Sequence, residues 1–152
     1  MAVGSRDKGS KESHNKAELY FHSTSSWKTK ASFPFHEAIR AFEILAHSDL
    51  FILFGGWTGD VDTDIIAKFD PGLNQWTKLG ILRASRHAFG VFQTDKKYLV
   101  MGGGANGNYD RRTEVCELKN ETIECTSREP ILNKFRYYPA MMLVPSDYAD
   151  NC

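Results

Sequence analysis

The chain has 152 residues, 41% hydrophobic and 25% charged, with 19 basic residues against 19 acidic ones. That is the composition of one folding domain, without the charge excess that gathers nucleic acid or the polar bias of a disordered chain. Its longest apolar run, Leu50 to Phe54, falls far short of the ~20 residues that span a bilayer as a helix, so no transmembrane segment is expected.

The chain opens on MAVGSRDKGSKESHNK, which lacks the apolar core of a secretory signal. Residues 1–18 are expected to be a disordered polar lead-in. Structure is expected to begin over 19–32, where Tyr20 precedes Trp27 by seven residues, a spacing that returns at Phe69 and Trp76. The stretch IRAFEILAHSDLFILFGG follows, an apolar segment, a polar turn, an apolar run and the pair Gly55-Gly56. Ile39, Phe42 and Leu45 also have helical spacing, so this stretch alone would pass as an amphipathic helix. The next copy decides for strands. Placed at an offset of 47, RHAFGVFQTDKKYLVMGG lies over it without a gap, with Gly102-Gly103 on Gly55-Gly56, and it carries Gly90 and β-branched Val91.

Each copy continues into a second hairpin. Between Phe69 and Trp76 the residues Asp-Pro-Gly-Leu-Asn-Gln make a turn. In the following copy Cys116 and Ile123 fall at the two aromatic positions, and Lys-Asn-Glu-Thr makes the turn. The run FRYYPAMMLVP starts another unit over 136–144, and 145–152 is a tail.

A period of 47 to 49 residues with four short strands per period resembles the blades of kelch-type β-propellers. The double glycines, Phe69 with Trp76, Arg86-His87 and the phrase FDPGLNQW are similar to that family's motifs, across roughly residues 19 to 144. The resemblance implies an all-β fold, a partial kelch-type β-propeller of about three four-stranded antiparallel blades. These would be a half blade at 19–32, whole blades at 38–80 and 86–128, and the start of the next at 136–144. About three blades do not close a wheel, so further kelch blades are expected to complete it.

Chemical motifs are sparse. Gly102, Gly104 and Gly107 satisfy G-x-G-x-x-G after a strand, but no helix is expected to follow and aim its N-terminus at a pyrophosphate. Asp60, Asp62 and Asp64 alternate and would share one side of an extended chain. A calcium loop would also need a glycine where Ile65 stands and a glutamate where Pro71 stands. The histidines have no metal-ligand spacing, and His87 reads as structural. No constellation matching the copper site of galactose oxidase, another kelch-type propeller, is present. The expectation is therefore no enzyme, no cofactor and no metal. The alternatives are a propeller enzyme, carbohydrate-active or copper oxidase, with its active residues outside this chain, and a cytosolic kelch adaptor for ubiquitin ligation.

Around the turn Asn120-Glu121, pairing Lys119 with Thr122 and Leu118 with Ile123 sets Cys116 directly opposite Cys125, within disulfide reach. Asn120-Glu121-Thr122 is an N-glycosylation acceptor at the tip. Together these favour an extracellular or secretory setting over a cytoplasmic one. The same segment resembles extracellular kelch proteins of invertebrates, which carry such a cysteine pair before a Tyr-Tyr-Pro strand.

In kelch propellers, ligands meet the loops joining second to third strands and fourth strands to the next blade. Carried over, this assigns binding to Trp57, Asn106, Tyr109, Arg111, Arg112, Arg83 and Arg136, with His36, Arg40 and Arg86 nearby. Arg40 and Arg86 have an alternative structural role, bonding neighbouring blades. Arginine and aromatic residues dominate interface energies. The expected partner is a protein, through an acidic peptide or a glycan.

Overall fold

The computed structural model describes residues 1–6, 13–94, 97–105, 108–109, 111–128 and 132–141. Apart from one 3-10 turn at His22–Thr24, the regular structure there is all β. No helix among the described residues is long and apolar enough to cross a membrane.

Strands β1 (Ala2–Arg6), β2 (Ser13–Phe21) and β3 (Ser26–Lys30) form an antiparallel sheet in that order. The expected disorder of residues 1–18 is corrected here, since Ala2–Arg6 and the residues from Ser13 onward are strands; 7–12 lie outside the described residues. The physical reason is a period of two that the polar composition hid. Ala17 is buried between exposed Lys16 and Glu18, and it pairs with buried Val3. Both join Phe33 and Ile39 in a core cluster.

Strands β4 (Glu43–His47), β5 (Leu50–Trp57), β6 (Asp62–Asp70) and β7 (Gln75–Ile81) form an antiparallel meander. A second meander follows in β8 (Gly90–Gln93), β9 (Lys97–Met101), β12 (Thr113–Lys119) and β13 (Thr122–Arg128). Within its β9–β12 connection, β10 (Gly104–Ala105) and β11 (Asn108–Tyr109) make a small hairpin, not the helix a dinucleotide site would need. A parallel contact between Gly80 and Ile123 joins the meanders into one sheet of eight strands. At its far ends the Ala88 N–H donates to Ala41 O at 2.8 Å, so that sheet nearly closes on itself.

Residues 43–47 are strand, as the repeat requires. Ala41, at φ 52, interrupts any helix through this stretch. The unbroken apolar run of β5 follows from burial on both faces. Ile52 and Phe54 point into a core shared with Phe89, Tyr98 and Val100 of the second meander, and Leu53 points the other way, toward Phe33 and Val3 of the first sheet. A fully buried residue such as Phe54 contributes about 1.5–3 kcal/mol.

The double glycines stand at equivalent strand ends. Gly55 and Gly102 have φ 50 and 74, and a Cβ there would lie 2.8 and 2.7 Å from the carbonyls of Arg86 and Arg136. Tyr20 faces Trp27 and Phe69 faces Trp76 across their hairpins. Trp76 reaches the first sheet's side, edge-on to Phe33 at 5.1 Å, and its indole N–H donates to Ala31 O at 2.8 Å.

In the last hairpin Asn120 and Glu121 both have positive φ, 45 and 68, as a two-residue primed turn requires. Lys119 pairs with Thr122, and Cys116 with Cys125 in a disulfide, Cα atoms 4.0 Å apart. One assignment changes. Cys116 lies beside Tyr98 as Phe69 lies beside Phe51, so Cys125, not Ile123, takes the place of Trp76. The two-residue turn lets this hairpin zip two pairs further, which moves Ile123 toward the tip.

Candidate binding cleft

The clearest concavity, of about 650 Å³, is lined by Arg40, Trp57, Asp60, Asp62, His87 and Tyr137, with Ala41, Val61 and Tyr138 between them. Three of these residues occupy one repeat position. Arg40, His87 and Tyr137 each precede a residue in the left-handed region, Ala41 (φ 52), Ala88 (φ 52) and Tyr138 (φ 50). Backbone bonds repeat too, since Arg86 O accepts from Gly56 N–H and Arg136 O from Gly103 N–H, at 2.9 and 2.8 Å. Each repeat thus turns sharply at the same place and presents the preceding side chain to a common cleft. The β5–β6 connection closes the side, starting at Trp57.

Two arrangements organise the floor. The Arg40 guanidinium lies 3.9 Å from the Trp57 ring centroid, a cation–π stack that fixes its plane, and no carboxylate among the described residues pairs with it. Its backbone is locked to Trp57 by reciprocal bonds of 3.0 and 2.8 Å. In the same cleft His87 bridges two partners, Nδ1 meeting the Asp62 carboxylate and Nε2 the Tyr137 hydroxyl. Asp62 is nearly buried at 4% exposure, whereas Tyr137 and Tyr138 remain 45% and 66% exposed. Their rings meet edge to face at 5.0 Å and form an aromatic wall.

Behind the cleft Arg86 is fully buried. It donates to Glu114 at 2.7 Å and to the carbonyls of Gly102 and Arg112, and Glu114 also accepts the N–H groups of Arg83 and Ala84 at 2.7 and 3.1 Å. Of the two roles weighed for it, Arg86 takes the structural one, anchoring the turn that presents His87. Glu114 lies near the sulfurs of Cys116 and Cys125, a grouping that could hold an ion only if the disulfide and the ion pair were both broken. Burial pushes the His36 imidazole below its usual range, with Asp64 pulling the other way, and its Nε2 meets Thr63 Oγ1 at 3.2 Å. Asp62 turns to His87 and Asp64 acts on His36, so the three aspartates do not converge on one ion.

Of the residues assigned to binding from sequence, Trp57 lies in the cleft and the others lie elsewhere or beyond description. Arg83 borders a groove along the Gly80–Ile123 seam. Arg111 donates to Asn133 O at 3.3 Å with Phe135 beneath it at 5.8 Å. Arg112 is exposed and its carbonyl serves Arg86, while Arg136 contributes its carbonyl to Gly103. Tyr109 pairs through its backbone with Gly104, and Asn106 lies outside the described residues. His87 and Tyr137 were not assigned to binding. The signal that finds them is the alignment that sets His87 over Arg40, carried on one repeat.

No family model and no curated protein matches the chain. Its fold is similar to the solved structure of YjhT, with a TM-score of 0.75 at 13% identity over 88% of this chain. The chain spans about half of that structure's length, 49%.

Proposed function

We propose that the chain is a non-catalytic protein-interaction module, formed by repeats of a kelch-type β-propeller that further blades complete. Repeated meanders ending in glycine pairs, stacked face to face through apolar cores, support the propeller reading. The outer edge of β1 supports its incompleteness: β5 and β9 each have an inner neighbour, β4 and β8, whereas among the described residues β1 pairs with β2 alone. The Cys116–Cys125 disulfide and the sequon at the exposed tip, Asn120, support a secretory setting with a glycan there.

The observation that carries the binding role is the cleft itself, which an arginine stacked on a tryptophan shares with two exposed tyrosines. Such side chains concentrate binding energy in interfaces. The test is selection of a displayed random-peptide library on the immobilised protein, repeated with Arg40→Ala and Trp57→Ala. Peptides that bind the native chain and lose at least tenfold on both variants are the expected result. Failure to enrich any peptide, or enriched peptides indifferent to both substitutions, would refute this role for the cleft.

A further inference from the structure

We infer that the outer edge of β1 receives residues 140–143 of a second copy of this chain, so that two copies close one wheel head to tail. This rests on the propeller reading just proposed and names the source of its further blades.

The first sheet is a blade without its inner strand. Gly4, at φ 61, faces the carbonyl of Ile39 as Gly55 and Gly102 face those of Arg86 and Arg136. Val3 pairs with Ala17 as Phe54 pairs with Ile66, and the register breaks just after each pair. So β1 stands where β5 and β9 stand, but nothing among the described residues takes the place of β4 or β8.

Two features mark the missing neighbour. In the second meander Ala88, Phe89 and Val91 are buried, and the last two share a core with Ile52 and Phe54 of the meander before. Their counterparts Ala41, Phe42 and Ile44 are only half-buried. They border a groove of about 440 Å³ whose other side is Met1, Ala2 and Val3, where the inner strand belongs. Likewise Trp76 docks on Phe33 and Ala31, which follow the preceding sheet, whereas Trp27 at the same position of the first sheet is 55% exposed. Apolar side chains left bare at positions that are covered in the next repeat mark an interface.

The chain carries the strand that fits. Tyr138 repeats the left-handed turn of Ala41 and Ala88, and residues 138–141 make no strand pair among the described residues. Backbone bonds run in series, Ala88 N–H to Ala41 O and Tyr138 N–H to Ala88 O, both 2.8 Å. Ala41 N–H of a second copy, on Tyr138 O, is the next step. Glu43 lies opposite Phe54 and Gly90 opposite Met101, so the same count from the turn sets Ala140 opposite the second copy's Val3, and Met141 opposite its Ala2. Met142, outside the described residues, takes the position of Leu45, which packs on the core that holds Phe89 and Val91. In the second copy that position meets Phe42 and Ile44. In the series of inner strands β4 and β8 stand between β1 and this segment, whose Met141 sits against Gly90, so it serves another copy rather than its own β1. Strand addition supplies main-chain bonds for affinity and side-chain pockets for specificity. The chain spans 49% of the YjhT structure, so two copies approach its length. Head-to-tail contacts close a ring when the rotation allows, each copy lending one strand and receiving one.

The experiment measures the mass of the full chain by light scattering across the micromolar range. The expected mass is twice the 17.2 kDa of one chain. Trp27→Ala, which alters an exposed side chain, and Met142→Asp should each weaken dimerisation about tenfold or more, with native far-UV circular dichroism. On a Cys152→Ser background, Ala2→Cys and Met141→Cys chains should be joined by o-phenylenedimaleimide when mixed, and neither should join to itself. A monomer at every concentration overturns the inference and leaves the propeller reading standing, with its further blades from elsewhere. A dimer that both Trp27→Ala and Met142→Asp leave intact overturns the inference too. Ala2→Cys joining to itself means two β1 edges paired with each other, which no wheel allows, and overturns the propeller reading as well.

Discussion

Replacing Glu114 by glutamine tests whether the turn presenting His87 depends on one buried charge pair. The side chains of Arg86 and Glu114 are 0% and 1% exposed, so water cannot solvate whatever is left behind. In the native chain the carboxylate takes the Arg86 guanidinium at 2.7 Å and two backbone N–H groups, from Arg83 and Ala84. A glutamine keeps the shape but removes the charge, and its amide group turns donors toward groups that also donate. Removing one partner of a buried ion pair costs about 3–5 kcal/mol, because the surviving charge stays buried. Against a total stability of about 5–15 kcal/mol this is a large share, equivalent to a fall in Tm of roughly 10 °C. Urea titration followed by tryptophan fluorescence measures it. The double variant Arg86→Met with Glu114→Met should recover part of the loss, since paired apolar residues leave no stranded charge although the N–H groups of Arg83 and Ala84 lose their acceptor. A loss below about 1 kcal/mol for Glu114→Gln, the range of a solvated surface pair, would refute the reasoning.

Two further outcomes follow from the same core. Reducing the Cys116–Cys125 bridge, or replacing both cysteines by serine, should cost about 2–3 kcal/mol for a loop of this length and lower Tm by several degrees, as differential scanning fluorimetry with and without reductant reads directly. Burial holds the Tyr98 phenol up to about 12, above its usual value near 10. The folded chain thus keeps the proton more tightly than the unfolded one. That stabilisation is complete below pH 10 and declines from pH 10 to 12, so denaturation midpoints of the native chain should fall more steeply over that window than those of Tyr98→Phe.

Much of the fold was legible because its rules are local and repeat. The glycine pairs needed only left-handed backbone and close carbonyls, and the pairing of Cys116 with Cys125 followed from a two-residue turn. The β2–β3 hairpin was legible from Tyr20 and Trp27, but β1 and the start of β2 were not, because a single alanine, Ala17, carries the buried face there. The cleft was legible only in part. Trp57 stood out as an aromatic in a connecting loop, but the arginines around it look alike in sequence. Burial separates them: Arg86 spends its charge on Glu114, and Arg40 keeps its fork for the cleft.

That contrast explains how a repeat can build a site. The fold requires the position after Arg40, His87 and Tyr137 to be left-handed, a strain borne by alanine twice and tyrosine once. It places no demand on the preceding side chain, which points out of the packed sheets into the cleft. The backbone therefore repeats while that side chain is a cation, then an imidazole, then a phenol. Where the scaffold is indifferent, the copies are free to differ. Three dissimilar polar groups on three equivalent turns thus make the cleft asymmetric, with a guanidinium stacked on Trp57 and an aromatic wall at Tyr137 and Tyr138.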